Sequence, residues 1–489
     1  MDQIRKFKWV FVLLMSFGCS TFIFFSFENR TDIQTLASLT LVPPSPITNK
    51  VKLDIRGAIW NNSSKTKDYK VAFYIIEAGN DICFYTKDLV LQPASNAGIQ
   101  YWLDIEKYTG SRNITMVIKS NAGIKTLVEP IKVIDSKIRS TKRIDGGWFE
   151  FYHWSEDEGR FWNKDIIKLS NDQWGELIKG MHGIDMNIVI IQELFRNQKY
   201  VGKHNMDSTG YTGFPYYHSK LFPLKTTQSL LENVEDGKSS ENYPEWKNIA
   251  ADSALESVLS EADRDGMKVF LGVGMYAWFD FSKGSLEWSE KVAKELWEKY
   301  GSHKSFYGWY ISGEIAGNLG DDDNRKKEIV RFFEEFTPFV KTLAPDKPVM
   351  LATNCHDVKN SDGYYPALLK NLDILCPFGF HRMPPNDYTG SEVAKILQDY
   401  CDKSGCHLWM DLEVFLFAEK NALYPRPIDQ VVTDLLMFDN FEKICCYSYT
   451  GLMNADWQSA KPGGERTVKL YDDYLKYLKD SASRNDILK

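Results

Sequence analysis

Apolar positions along the chain follow two rhythms, with a change near residue 140. Between about 48 and 138 they alternate with polar residues in short runs at 51–55, 70–76, 99–103, 113–118 and from 126 onward. Stretches rich in Asn, Ser, Gly and Lys separate these runs, among them Asn61-Asn-Ser-Ser64. Period-two runs at this spacing, with no helical stretch between them, predict a small all-β sandwich. Such a module serves as a spacer or as a carbohydrate-binding unit, and the pattern does not choose between them.

From about 145 the rhythm becomes strand, loop, helix, repeated. Strands are expected at 148–153, 187–194, 268–275, 307–315, 349–354, 374–381, 407–414 and 443–450. Amphipathic stripes lie between and after them. Trp288, Val292, Leu296 and Tyr300 form one, and Ile329, Phe332, Phe333, Phe336 and Val340 another. Val431, Leu435 and Phe438 continue the series, and Val468, Tyr471, Leu475 and Leu478 close it. Spacings of three and four bury one face of a helix. Ser170, Asp252 and Ser285 read as helix caps. Eight β/α alternations over about 335 residues predict an α/β fold of the (β/α)8 TIM-barrel class, preceded by the sandwich. The expected organisation is an export segment at 1–27, a linker at 28–47 with Pro43, Pro44 and Pro46, a sandwich at 48–140 and a barrel at 141–489.

The amino terminus changes the picture of where the chain works. Arg5, Lys6 and Lys8 precede an apolar run from Trp9 to about Phe27, the pattern of an export signal. Met15-Ser-Phe-Gly-Cys19 resembles a lipoprotein cleavage box, with Cys19 as the lipidated residue, although Ser16 stands where an aliphatic residue is usual. Uncleaved, the run is long enough to span a bilayer. A lipoprotein, an uncleaved anchor and a cleaved signal all place the body outside the cytoplasm, at the cell envelope or surface, with membrane contact through the N-terminus only. The eight Cys are scattered and form no Cys-x-x-Cys pair. Cys401 and Cys406 are close enough in sequence to pair, and buried free thiols are the plainer reading.

Charge and composition narrow the partners. A net charge of -7 argues against nucleic acid. Aromatic residues make up 14% of the chain, which suits either a large core or a cleft that stacks sugar rings. No dinucleotide-binding, serine-hydrolase, zincin or Walker motif is present, so no cofactor is expected. Asp321-Asp-Asp-Asn324 lacks the spacing of a calcium loop and reads as a solvated turn and helix cap. The long segment after the second strand, about 195–251, holds Tyr200, Tyr211, Tyr216, Tyr217, Trp246 and other aromatic residues. Its place at the C-terminal end of a strand predicts a wall or lid of a cleft.

Barrel strands alternate between the interior and the helix layer, and catalytic groups come from the last interior positions. On the fourth strand Gly308, Tyr310, Ser312 and Glu314 share the inner face. On the seventh, Trp409, Asp411 and Glu413 do. A Glu ending strand four and a Glu ending strand seven resembles the large clan of retaining TIM-barrel glycoside hydrolases. The whole chain resembles a Bacteroidota lipoprotein family with a signal, a β-sandwich and a glycosidase-like barrel. The resemblance implies a general acid/base at Glu314 and a nucleophile at Glu413, acting on an extracellular poly- or oligosaccharide. The chain departs from the clan at Gly313, where an Asn that binds the sugar 2-hydroxyl is usual. Asn354, ending strand five, is a candidate substitute.

Further candidates surround this pair. Glu193 ends the second strand and serves either as a third site carboxylate or in a salt bridge at the barrel rim. His381 follows strand six, where it either orients the nucleophile or is structural. Tyr276 and Trp278 after strand three, and Tyr447, Tyr449 and Trp457 around strand eight, are sugar platforms or core residues. The competing reading is a surface lipoprotein that binds glycan without cleaving it.

Overall fold

The computed structural model describes residues 36–77, 80–151, 153, 157–166, 168–192, 194, 216–217, 219–221, 253–273, 280–418 and 421–484. The N-terminal apolar run and Cys19 lie outside these residues.

The first part is built from eight strands: β1 (Leu36–Val42), β2 (Ile47–Thr48), β3 (Lys52–Asn61), β4 (Lys67–Glu77), β5 (Asn80–Leu91), β6 (Ser95–Asp104), β7 (Gly110–Ser120) and β8 (Gly123–Ile134). They form a three-stranded sheet, β1-β3-β6, and a five-stranded one, β2-β8-β7-β4-β5. All pairings are antiparallel except the short β2–β8 contact. Alternate residues of both sheets meet in one apolar cluster, including Leu53, Ile55 and Ile59 from the first and Val71, Phe73, Ile114 and Met116 from the second. This is the period-two pattern turned into burial.

The second part is a parallel sheet curling into a nearly closed barrel. Its segments are β9 (Gly146–Phe149), β10 (Ile188–Ile191), β11 (Lys268–Gly272), β12 (Phe306–Ile315), β13 (Val349–Thr353), β14 (Ile374–Leu375), β15 (His407–Leu408), β16 (Met410–Glu413) and, after the hairpin β17 (Phe415–Phe417) and β18 (Leu423–Pro425), β19 (Ile444–Tyr447). Nine segments stand where eight strands are predicted. The difference lies in the seventh, which divides at Trp409. Residues before it pair with β14 and residues after it with β19, the Trp409 amide still donating to Leu375. The two edges of the sheet therefore belong to one continuous stretch of chain. The first strand also starts earlier than predicted, at Gly146. A side chain at Gly146 would strike the Ile188 carbonyl, so only glycine lets these strands approach.

Around the barrel lie helices, among them α1 (Asn163–Ile166), α2 (Asn171–His182), α3 (Ala254–Asp265), α4 (Lys283–Tyr300), α5 (Asp323–Leu343), α6 (Tyr365–Leu369), α7 (Gly390–Ser404), α8 (Ile428–Met437) and α9 (Glu465–Arg484). Ser170 caps α2 in a full capping box with Gln173, and Asp322 caps α5 by accepting from the Arg325 amide. The latter gives the acidic run at 321–324 its structural use. The cap of α4 is Ser282 rather than Ser285, whose amide donates to it. Outward strand residues such as Trp309, Ile311, Leu412 and Val414 join the helix layer, while Trp148, Tyr310, Met350 and Trp409 fill the barrel interior.

The two N-terminal sheets pack against the N-terminal ends of the barrel strands. Val42 from β1 enters the barrel's interior cluster. The Tyr307 hydroxyl donates to the Leu41 carbonyl at 2.6 Å, and the Thr40 hydroxyl to Asp346 at 2.6 Å. Arg56 on β3 reaches Asp54 at 2.6 Å and Asp373, just before β14, at 2.7 Å. Lys341 meets Asp373 at 2.8 Å. His407, opening β15, stacks on Trp102 of β6 with ring centres 4.8 Å apart and binds Glu442 through Nδ1. This end is closed, which leaves the C-terminal ends of the strands as the open face.

The described cysteines are free thiols, six of them buried and Cys83 exposed. Cys401 and Cys406 are among the buried ones.

Candidate functional site

A cavity of about 260 Å³ opens at the C-terminal ends of the barrel strands. That is just under the usual volume of a small-ligand site, about 300–1,000 Å³. Its floor is aromatic: Trp148 from β9, Tyr310 from β12, Phe378 after β14 and Tyr447 from β19. Trp148 meets Tyr310 edge-on with ring centres 5.9 Å apart. The hairpin β17–β18 supplies Phe415, Phe417 and Leu423 as one wall. The polar lining is Glu158, Gln192, Glu314, Arg382, Asp411 and Glu413.

Glu314 and Glu413 line this one cavity from opposite parts of the sheet. Strand alternation aims both inward, as it does Tyr310 and Asp411. Their surroundings differ. Glu314 is densely enclosed by protein yet keeps part of its surface open to the cavity. Burial, with the Glu413 charge adding to it and Arg382 opposing, pushes its carboxyl up to about 7. Glu413 is buried. Burial works against its charge, but His381 and Arg382 outweigh that and hold the carboxyl below the usual range. Arg382 donates to Oε1 through Nε at 2.8 Å, with a terminal nitrogen at 2.6 Å from the same oxygen. His381 Nδ1 lies 3.1 Å from Oε2 but off the hydrogen-bond line, so Oε2 has no aligned donor among the described residues.

A second acidic group lies on the β9 side. Burial, then the charges of Glu314 and Glu150, push Glu158 up to about 8. Its Oε2 is 3.5 Å from His153 Nε2. The Tyr447 hydroxyl lies 3.3 Å from that same nitrogen and donates to Glu150 Oε1 at 2.6 Å. Ser448 donates to the other Glu150 oxygen at 2.9 Å. Asp411 is fully enclosed, and burial followed by the Glu413 charge pushes it well above the ordinary range. Carboxyls pushed toward protonation in a cleft mark a candidate functional site.

Of the residues singled out from sequence, the structure gathers Glu314, Glu413 and Tyr447 in the cavity and sets His381 against Glu413. Asn354 is partly buried and turned to a local task, its side-chain oxygen accepting from the His356 amide at 2.7 Å. Tyr449 is fully buried in the helix-side core, its hydroxyl near Gln458, because the chain has left β19 by that point. Trp457 is exposed. Glu193, Tyr276 and Trp278 lie outside the described residues. Gly313 has a structural reason: a side chain there would meet the Phe281 ring at 3.1 Å, so an Asn would need Phe281 to move. In the long segment after β10, Tyr217 and Ser219 both donate to Glu295 of α4, and Tyr216 stacks on Phe151.

Sequence reasoning missed Glu158 and the use of Arg382. Both had a signal. Glu156-Asp-Glu158 is an acidic run soon after the first predicted barrel strand, and Arg382 adjoins His381.

Among solved structures, the chain is similar to a provisional α-L-fucosidase from Bacteroides thetaiotaomicron, at 17% identity and TM-score 0.47, over 69% of this chain and 93% of that one. It is also similar to a β-glucuronidase from Bacteroides uniformis, at 12% identity and TM-score 0.39, where 90% of this chain spans 49% of that one. A β-galacturonidase from Eisenbergiella tayi matches at 10% identity and TM-score 0.40, over 91% and 71% of the two chains. At these scores and identities nothing about the chemistry of this chain follows from them. No curated protein matches the sequence. A family model matches residues 144–460, covering the barrel and most of what surrounds it, and the chain therefore belongs to the family described as a domain of unknown function, DUF4434.

Proposed function

We propose that this chain is a retaining glycoside hydrolase of extracellular poly- or oligosaccharide, with Glu413 as nucleophile and Glu314 as general acid/base. One observation carries the reading: two carboxyls share a cavity on the open face, one pushed toward protonation and one held ionised. Both retaining and inverting hydrolysis need that division of labour, and the two strand-end positions favour retention. Glu314 gives its proton to the leaving oxygen while a Glu413 oxygen bonds to the anomeric carbon and the glycosidic bond breaks. Water then attacks that carbon, losing its proton to Glu314, and frees Glu413. Arg382 and His381 fix the Glu413 carboxylate and spread its charge. The aromatic floor packs against the ring.

The same reading takes the barrel as a (β/α)8 unit with one divided strand, and the two antiparallel sheets as a β-sandwich domain beside it. It places the body outside the cytoplasm, tethered through the N-terminal segment. Glycan binding without cleavage remains the rival, and Gly313 favours it, because the usual 2-hydroxyl contact is missing there. The test is incubation of the full chain with a panel of polysaccharides and nitrophenyl glycosides, alongside Glu314→Gln and Glu413→Gln. Sugar release reduced about 10³-fold or more by each substitution is the expected result. Binding by all three proteins with no turnover on any glycan would establish the rival.

A further inference from the structure

The lining of the cavity carries information about the ring it accepts. Besides Oε2 of Glu413, two of its polar atoms are buried and lack a partner among the described residues: Gln192 Oε1 and Asp411 Oδ1. Both residues are more than nine-tenths buried, at 7% and 5% exposure. A buried polar atom left unsatisfied costs free energy, and where such an atom faces a cavity a bound group can supply the missing hydrogen bond. The amide oxygen of Gln192 can only accept, and it therefore calls for a donor.

The charges point the same way. Among the described residues four carboxyls line the cavity: Glu158, Glu314, Asp411 and Glu413. Among the described residues the lining holds a single cation, Arg382, and its guanidinium already contacts Glu413 through two nitrogens. An anionic ring would bring a charge into this enclosure with no free cation among the described lining residues to meet it. Removing a charge from water without a partner is among the costliest events in a protein interior. An uncharged ring brings hydroxyl protons for Gln192 and Asp411. It also brings hydroxyl groups for the Glu158 carboxyl, which burial pushes up to about 8.

We propose that the cavity selects an uncharged sugar ring, read through donors to Gln192 and Asp411, and rejects rings that carry a carboxylate or sulfate. The selection rests on the carbohydrate reading above but not on cleavage. The test pairs matched nitrophenyl glycosides, glucoside with glucuronide and galactoside with galacturonide, in both anomeric forms. Turnover and calorimetric binding are measured on the full chain. The uncharged member of at least one pair should bind or turn over about 100-fold or more better than its uronate. Gln192→Met, of similar size, should weaken the uncharged ring about 10-fold without lowering thermal stability. Glu158→Arg, which adds an uncommitted cation, should narrow the preference over the uronate. Should either substitution prevent folding, the paired measurement on the unaltered chain still decides. A uronate that binds as well as its uncharged partner, or better, would overturn the proposal, as would no binding of either class. Selective binding of the uncharged ring without turnover would uphold it while removing the hydrolase.

Discussion

The two ends of the barrel hold similar numbers of buried charged groups and arrange them in opposite ways. At the N-terminal end, Asp54, Arg56, Lys341, Asp373, His407 and Glu442 alternate in sign, and each faces a partner. Burial disfavours the Asp373 charge, yet Arg56 and Lys341 hold its carboxyl well below the usual range. Burial likewise opposes a charged His407, but Glu442 and Asp54 push it up to about 10. At the C-terminal end, Glu150, Glu158, Glu314, Asp411 and Glu413 crowd together against Arg382 and His381, and most of the carboxyls are driven toward protonation. Compensated charges join two parts of the molecule. Carboxyls crowded together and driven toward protonation store a tendency to gain or move protons, which is what chemistry requires.

The largest effect on stability is expected at the paired end. Arg56→Met leaves Asp54 and Asp373 buried without their shared cation. It should cost about 3–5 kcal/mol by urea denaturation, because breaking one side of a buried pair strands the other. Activity per folded molecule should be unchanged. A loss below about 1 kcal/mol would mean that water reaches this end, and the contrast with the open face would fail.

A second test concerns activity. With Glu314 pushed up to about 7 and Glu413 held low, turnover should follow a bell in pH. The acid limb falls as Glu413 takes a proton. The alkaline limb falls through about 7 as Glu314 loses the proton it must donate. Substitution of the N-terminal network should leave both limbs in place, whereas Arg382→Gln should move the acid limb upward by removing the cation that holds Glu413 ionised.

The same contrast explains what was legible in the sequence. Period-two alternation aimed Glu314, Asp411 and Glu413 inward, and strand ends placed two of them on the open face, so the central pair could be read from spacing alone. Residues on turns could not. Glu158 sits in a turn whose backbone carbonyl accepts from the Leu423 amide of the hairpin, a contact 265 positions away that no local pattern encodes. Asn354 had the right position at a strand end, but a neighbouring amide claimed its side chain. Tyr449 followed the strand's register on paper, and the chain left the strand two residues earlier. The division of the seventh strand at Trp409 likewise comes from its two neighbours rather than from the run itself. Nothing in the sequence indicated that the first part would plug the barrel, since Arg56 on a strand and Asp373 just before one are polar residues that look exposed in isolation.

The smallest predicted effect is the sharpest on sign. Glu158 has an ordinary value of 4.5 and is pushed up to about 8 by burial, with Glu314 and Glu150 adding to it. A carboxyl raised in the folded state binds more protons there than in the unfolded chain. Its contribution is fully present below about 4.5 and is lost as pH rises through about 8. Glu314 acts in the same direction up to about 7. Asp373 is lowered instead, so its contribution is lost as pH falls below 3.8. His407, raised from 6.5, loses its contribution only as pH climbs through about 10. Glu158→Gln should therefore match the unaltered chain in stability at pH 4. It should exceed it by about 1 kcal/mol at pH 8, in line with relief of a strained functional site. Paired urea titrations at the two pH values measure this gap. A variant less stable at pH 8 would show that Glu158 is ionised and partnered in the folded protein, and would place it with the charges of the other end.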